Sequence, residues 1–256
     1  MSVIEAIEAI LDAERFGSVA TIMSGADTGS KAVIDSEGDV IAGKLPSGIS
    51  DQVASDAVTL MRNEQHRALD YGDVSVFIET LAPPQDLIIL GAVHIGQSLA
   101  LFAGQMGYRV TVIDARSAFA TSERFPTAER VLAGWPGEIL DQVTFDERTW
   151  VVILAHDERH EDPVLDAALK SDVRYIGAMG SRRTHDLRVE RLRARGFSND
   201  DISRIHGPVG LDIGAETPQE VAISILAEMT MVRYGSGSGR PLHGRPGRVH
   251  LQRQDE

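Results

Sequence analysis

The sequence predicts an α/β protein in which a C-terminal, doubly wound parallel sheet follows a smaller N-terminal α+β domain. Three observations predict it. Residues 86–116, DLIILGAVHIGQSLALFAGQMGYRVTVIDAR, read as strand, tight glycine turn, helix, second strand and a closing acid. Apolar runs at about 87–90, 109–113, 150–154 and 173–176 are separated by helix-length segments, the pattern of parallel strands covered on both faces. Pro83-Pro84 interrupts regular structure ahead of the first run, because proline lacks the amide proton that a helix or central strand needs.

Taken in order, Ile4, Ile7, Ile10 and Leu11 recur at helical spacing, so the chain is expected to open on a helix that buries this face and ends at Gly17. SVATIM is a β-branched run suited to a strand, and AVID and DVIAG read as a hairpin about Ser36-Glu37-Gly38. Val53, Ala57, Leu60 and Met61 mark a second helix, and the chain returns as a strand over 74–78. The expected domains are 1–82 and 85–234. Within the second, VLAG at 131–134 is a short strand, a helix follows Gly180, and a last helix over about 218–234 has Thr217 as N-cap and Pro218 at its first position. Residues 235–256 are rich in Gly, Pro and Arg with little to bury, and are expected to form a flexible tail.

Composition excludes several chemistries. With no cysteine, there is no disulfide, thiolate metal site, iron–sulfur ligation or cysteine nucleophile. A net charge of −13 opposes general affinity for nucleic acid or anionic membrane, so an anionic ligand must be caught by a local site. No apolar run reaches membrane-spanning length and the first residues form an acidic amphipathic pattern, so a cytoplasmic protein is expected. Neither a G-x-S-x-G nucleophile elbow nor a P-loop is present.

Ligands of doubly wound sheets bind at the carboxyl edge of the strands, and four groups of residues map there. Gly91 and Gly96 frame the first turn. His94 between them either shapes the turn or touches a ligand, and Asp114 stands where an acid would take a ribose hydroxyl. The middle glycine of G-x-G-x-x-G is Val93, which weakens the dinucleotide signal. The second group, AHDERHED at 155–162, places His156 and His160 four residues apart, but Asp157 replaces the glutamate of H-E-x-x-H. Because it follows a strand and precedes Pro163, this segment is expected to be a polar loop, with an acid/base or metal-contacting role as the alternative. The third, Gly180-Ser181-Arg182-Arg183, puts two arginines in the first turn of a helix, where the dipole disfavours cations unless an anion is bound. Surface pairing with neighbouring acids is the alternative. The fourth, IHGPVGLDIGAETP at 205–218, is a constrained loop whose His206, Asp212 and Glu216 serve either a ligand or structural hydrogen bonding.

In this order, the glycine turn with His94, VTVIDAR with its following RFP, the AHD loop, YIGAMGSRR and HGPVGLDIGAETPQEVAISILAE resemble the XdhC/CoxI family. These are accessory proteins of molybdenum hydroxylases such as xanthine dehydrogenase and carbon monoxide dehydrogenase. The resemblance covers residues 86–234 and implies a C-terminal Rossmann-like domain. It also implies a nucleotide-binding, chaperone-like role: binding the molybdenum cofactor, protecting it, supporting its sulfuration and inserting it into the apo-enzyme. The implied partners are a molybdenum hydroxylase apo-enzyme and a sulfurase. The N-terminal part departs from the family. Where members carry a GG-Cys-x-Glu element, this chain has GKLPSG at 43–48, so no cofactor-binding role is carried over to that segment.

The leading expectation is a maturation factor holding molybdopterin or its cytosine dinucleotide at the sheet edge. Phosphate would rest on the amides of residues 92–96 or at Ser181, Arg182 and Arg183. Asp114 would lie near a nucleotide hydroxyl, with His206 and Asp212 on the pterin side and no resident metal ion. One rival is an NAD(P)-dependent oxidoreductase, in which Asp114 would favour NAD but Val93 opposes both dinucleotides. Another is a non-catalytic scaffold docking on the hydroxylase. Val221, Ile225, Met229 and Val232 on the last helix offer either a homodimer surface or a core-facing stripe.

Overall fold

Ser2 starts the first helix: its hydroxyl accepts the Glu5 amide proton while the Glu5 carboxylate accepts that of Ser2, a reciprocal cap. The computed structural model describes residues 1–25 and 27–244; the end of the expected tail, 245–256, lies outside the described residues. The chain divides into two compact units. Met1–Pro83, with the described residues from Arg233 onward, make one, and Pro84–Val232 make the other.

In the first unit α1 (Val3–Asp12) buries Ala6 and Ile10, with Val3 and Ile7 packed beside them. This corrects the expected face: Ile4 and Leu11 are 68% and 53% exposed. The stripe that meets the sheet runs through residues 3, 6, 7 and 10, and a small alanine supplies one of its contacts. Nor does Gly17 end the helix. The chain leaves it at Glu14, which takes a positive φ of 48°, and Gly17 opens the next strand. A Cβ there would sit 2.5 Å from Ile10 Cδ1, so any side chain would require Ile10 to shift.

Strands β1 (Gly17–Ser24), β2 (Lys31–Asp35) and β3 (Val40–Gly43), helix α2 (Ser50–Arg62), then β4 (Arg67–Tyr71) and β5 (Val74–Leu81) complete this unit. The sheet is antiparallel, in the order β3-β2-β1-β5-β4. Val33 and Ile34 are consecutive and buried but belong to different apolar clusters, so α1 covers one face of the sheet and α2 the other. Strand β4 was not expected from the sequence. RALDY is an edge strand with Ala68 and Asp70 exposed, and its only local signal is the turn through Gly72, where φ is +67°.

The second unit comprises β6 (Asp86–Leu90), α3 (His94–Gln105), β7 (Arg109–Asp114), β8 (Arg130–Ala133), α4 (Pro136–Ile139), β9 (Thr149–Ile153), α5 (Glu158–Leu169), β10 (Tyr175–Ala178), α6 (Arg182–Ala194), α7 (Asn199–Ser203), β11 (Ile205–His206) and α8 (Pro218–Tyr234) except its last two residues. Its six strands are parallel and ordered β11-β10-β9-β6-β7-β8. With β6 counted as first, that is the 3-2-1-4-5-6 order of a doubly wound Rossmann sheet, and the order reverses between β6 and β9.

Alternate residues of β6 face opposite layers. Leu87 and Ile89 pack with Leu99, Ala103, Ile225 and Met229 of α3 and α8, whereas Ile88 and Leu90 pack with Val164, Leu165 and Leu192 of α5 and α6. Each such side chain contributes about 1.5–3 kcal/mol when fully buried, so the strand ends are held firmly. Trp150 is fully buried in the first layer and donates Nε1–H to Gln85 Oε1 at 2.9 Å. The face of α8 that carries Ile225 and Met229, with Val221 and Val232 beside them, is therefore core and cannot serve as a homodimer surface.

Two further expectations are corrected here. β10 begins and ends two residues later than the apolar run suggests, because its ladder pairs Gly177 with Val152 and Ala178 with Ile153. The Tyr175 ring fills the place where a Gly177 side chain would lie, with Tyr175 Cε1 2.8 Å from a Cβ built there. The segment 155–162 is not wholly loop. Asp157 caps α5 by accepting the Arg159 amide proton, and Pro163 lies inside that helix. A proline this close to the start removes one backbone bond and the rest of the helix continues.

Candidate functional site

The carboxyl edge of the parallel sheet is built around one crowded turn. Gly91 leaves β6 with φ +116°, and a Cβ there would lie 3.2 Å from the Ala155 amide nitrogen, so the loops after β6 and β9 touch at the point of strand-order reversal. Gly96 is required by the approach of α3, since its Cβ would meet the Gly91 carbonyl oxygen at 2.6 Å. Val93, by contrast, caps α3 with φ −91° and ψ 173°, extended backbone open to any residue, and its side chain packs against the core. His94 is the first residue of α3 and is exposed.

Asp114 is buried, and its carboxylate is fully engaged. Oδ2 accepts the Ala92 amide proton at 2.7 Å, Oδ1 accepts that of Arg116 at 2.9 Å, and the Arg116 guanidinium binds both oxygens at 2.9 and 2.8 Å. Burial alone would raise its pKa, but Arg116 and the two amides outweigh burial and hold the carboxyl below its ordinary value. On the other side of the turn, Arg124 donates to the Ala92 carbonyl at 3.3 Å and to Gln97 Oε1 at 3.4 Å.

After β9 the two histidines part company. His156 is exposed ahead of the helix, while His160 lies within α5 with its ring 4.7 Å from that of Trp135. Asp157, held near a pKa of about 2 by the Arg159 side chain and amide, is occupied as a cap. No group of three or more His, Cys, Asp or Glu suited to a metal ion occurs among the described residues.

After β10, Gly180 takes φ +145° and Ser181 caps α6 by accepting the Thr184 amide proton at 3.1 Å. Arg182 and Arg183 are exposed and have no partner among the described residues, so the alternative of surface pairing is not realised. Beneath them Arg188, 1% exposed, pairs through Nε and Nη2 with Glu161 of α5 and donates to the Met179 carbonyl at 2.9 Å. That pair fixes the turn between β10 and α6.

His206, at the end of β11, is held by Glu228 and Tyr175, which lie in the family motifs but carry no expected role there. Its Nδ1–H donates to Glu228 Oε1 at 3.1 Å, and its ring stacks on Tyr175 with centroids 4.6 Å apart. Glu228 Oε2 also accepts the Tyr175 hydroxyl proton at 2.6 Å and the Gly210 amide proton at 2.9 Å. Burial would raise the Glu228 pKa, yet His206, Tyr175 and the Gly210 amide hold it below the ordinary value. The Tyr175 hydroxyl is pushed far upward by burial and by Glu228. Asp212 is exposed and does not join this group. The one available signal was Glu228 itself, a carboxylate between Ile225 and Met229 on an otherwise apolar helix face.

The eleven expected site residues thus occupy one edge but not one cluster. β7 and β11 are separated by β6, β9 and β10, about 19 Å at ~4.8 Å per strand, so only a ligand of dinucleotide length could reach both Asp114 and His206.

These features define a Rossmann-type domain with glycine-bearing loops along one sheet edge. The chain belongs to the XdhC family: residues 87–229 match the XdhC Rossmann domain. Among curated relatives it is 32% identical over 176 residues to YqeB, an uncharacterised protein of Escherichia coli strain K12, covering 67% of this chain and 32% of that one. It is 32% identical over 159 residues to a probable xanthine dehydrogenase subunit of Bacillus subtilis strain 168, covering 62% and 46%. It is 33% identical over 147 residues to the molybdenum cofactor insertion chaperone PaoD of Escherichia coli strain K12, covering 57% and 40%. The chain therefore spans about a third to a half of the length of these relatives. A crystal structure described as a xanthine dehydrogenase from Bacillus halodurans superposes with a TM-score of 0.54 at 19% identity, over 91% of this chain and 94% of that one, a likeness of fold. No helix among the described residues is long and apolar enough to cross a membrane.

Proposed function

We propose that the chain is a maturation factor that holds a phosphate-bearing molybdenum cofactor, molybdopterin or its cytosine dinucleotide, at the carboxyl edge of its parallel sheet for insertion into a molybdenum hydroxylase. The observation that carries this reading is Arg182 and Arg183, unpaired among the described residues of an acidic protein and placed at a helix start capped by Ser181. The names of PaoD and of the Bacillus subtilis relative support it. In this reading the amides of residues 92–96 and the α6 start receive phosphate, and His206 faces the pterin. Asp212 and His156 line the rim from their exposed loops. A sulfurase is a further partner, any homodimer forms through a face other than the buried side of α8, and the protein works in the cytoplasm.

The molybdenum group would supply no chemistry to the chain itself; the residues named bind, orient and shield it. Titration calorimetry with molybdopterin and with its cytosine dinucleotide tests the binding. Deletion of the gene should abolish molybdenum hydroxylase activity in the source cell. Absence of binding together with undiminished hydroxylase activity would defeat the proposal.

A further inference from the structure

The connection from β7 to β8 contains no helix. Residues 116–128 run as successive turns, the amides of Phe119 and Ala120 bonding the Arg116 carbonyl and those of Arg124 and Phe125 the Thr121 carbonyl. These turns bring two guanidinium groups to one ring. Arg116 lies 4.5 Å and Arg124 4.8 Å from the centroid of Phe119, whose side chain is exposed beside the turn at 91–96.

Among the described residues, one carboxylate serves this cation pair. Asp114 takes Nε and Nη2 of Arg116, whose side chain stays 51% exposed, with Nη1 unspent. Arg124 has no carboxylate partner among the described residues; its acceptors are the neutral oxygens of Ala92 and Gln97, at distances too long for strong bonds. Two like charges gathered at one ring are costly unless an anion joins them, and the chain around them carries a net charge of −13.

We propose that Arg116 and Arg124 form a subsite for a terminal phosphate monoester, whose dianionic oxygens accept from both guanidinium forks. This rests on the reading that the sheet edge holds a phosphate-bearing ligand. Asp114, braced against Ala92, is the counterion of the subsite and not an acceptor for a ribose hydroxyl, so a monoester is selected over a hydroxyl or a capped diester. The chemistry is shared by two sources, a nucleotide 2′-phosphate and the phosphate of molybdopterin, whose pterin is too short to span the sheet and would then lie over the β6 turn and not at His206.

Equilibrium titrations of the full chain with molybdopterin, its cytosine dinucleotide, NADP⁺ and NAD⁺ test it, each with wild type and Arg124→Gln. At least one monoester should bind about ten-fold more tightly than its capped or unphosphorylated counterpart, and Arg124→Gln should erase that difference without moving the unfolding midpoint. Arg116→Lys, which keeps a charge on Asp114 but loses the fork, should erase most of it too. The pair that shows the preference identifies the source. Equal binding within both pairs, or a preference that survives in both variants, overturns the subsite and leaves the pterin reading standing. If neither pterin form binds, the pterin reading fails, and the subsite survives only on selective binding of NADP⁺ over NAD⁺.

Discussion

Asp114 Oδ2 accepts the Ala92 amide proton at 2.7 Å, so the acid that ends β7 is part of the glycine turn after β6. The same carboxylate is neutralised by Arg116, while Arg124 reaches the carbonyl of Ala92 from the other side. Ala92 is thereby held firmly through its amide, at 2.7 Å, and only loosely through its carbonyl, at 3.3 Å. In this chain the acid sets the shape of the turn and the arginines set its charge.

Replacing Asp114 with Ala should leave the buried Ala92 amide without an acceptor and cost about 1–3 kcal/mol, read from urea midpoints. The acid limb supplies a second check. Because the folded carboxyl titrates below its ordinary value of 3.8, the unfolded chain binds more protons just below that pH. The contribution is complete above about pH 3.8 and is lost as pH falls through the lower folded value. Asp114→Asn should flatten that part of the profile.

Glu161 and Arg188 form a buried pair between α5 and α6, and Arg191 adds a bond to Glu161 at 2.9 Å. Arg188→Met alone should cost about 1–3 kcal/mol, because it leaves the buried Glu161 carboxylate with Arg191 as its remaining cation, whereas Glu161→Leu combined with Arg188→Met should cost less. A double-mutant cycle by chemical denaturation measures the difference. Arg188 also holds the Met179 carbonyl, so the single variant should raise amide exchange at residues 179–183.

A Cβ on Gly207 would lie 2.2 Å from His185 Nδ1, so the loop after β11 is seated directly on α6. Gly207→Ala should destabilise the fold by about 1–3 kcal/mol through overpacking, and His185→Ala in the same chain should recover most of that loss. His185 itself is shifted below its ordinary value of 6.5, first by burial and then by Arg188. With the unfolded chain binding more protons below that pH, its contribution is present above about pH 6.5 and lost as pH falls through the folded value. Thermal midpoints of wild type and His185→Gln at pH 7 and pH 5 test the sign, the wild type losing more on acidification.

The parallel sheet was legible because its signal is local: four apolar runs and the glycine turn mark β6, β7, β9 and β10 without reference to partners. β4 was not, since an edge strand half open to solvent has no apolar run to show. At the site, Gly91, Gly96 and the Ser181 cap follow from local backbone demands and could be read directly. The roles of Glu228, Asp114 and Arg124 depend on which groups their side chains meet 22 to 53 residues away along the chain, and periodicity carries no such information. The opening helix shows the same limit, because whether Ile4 or Ala6 faces the sheet is decided by the sheet.

Glu228 accepts three donors, and removing its charge should disturb all three. Glu228→Gln can no longer accept from His206, Tyr175 and Gly210 together, and a loss of about 1–3 kcal/mol is expected. In the wild type the folded carboxyl lies below its ordinary value of 4.5, so its stabilisation is complete above about that pH and lost as pH falls through the folded value. The variant should lack this step. Tyr175 gives the alkaline counterpart: with its folded pKa raised, stability is intact below about pH 10, where the unfolded tyrosine titrates, and declines above it. Ultraviolet titration should find Tyr175 silent where exposed tyrosines ionise, and Glu228→Gln should bring it partway back. Nitrogen chemical shifts of His206 should report a proton fixed on Nδ1 in the wild type and a mixture of tautomers in the variant, because the carboxylate that selects the Nδ1–H form is gone. A His206 unchanged by Glu228→Gln would mean that Tyr175 stacking alone holds the ring.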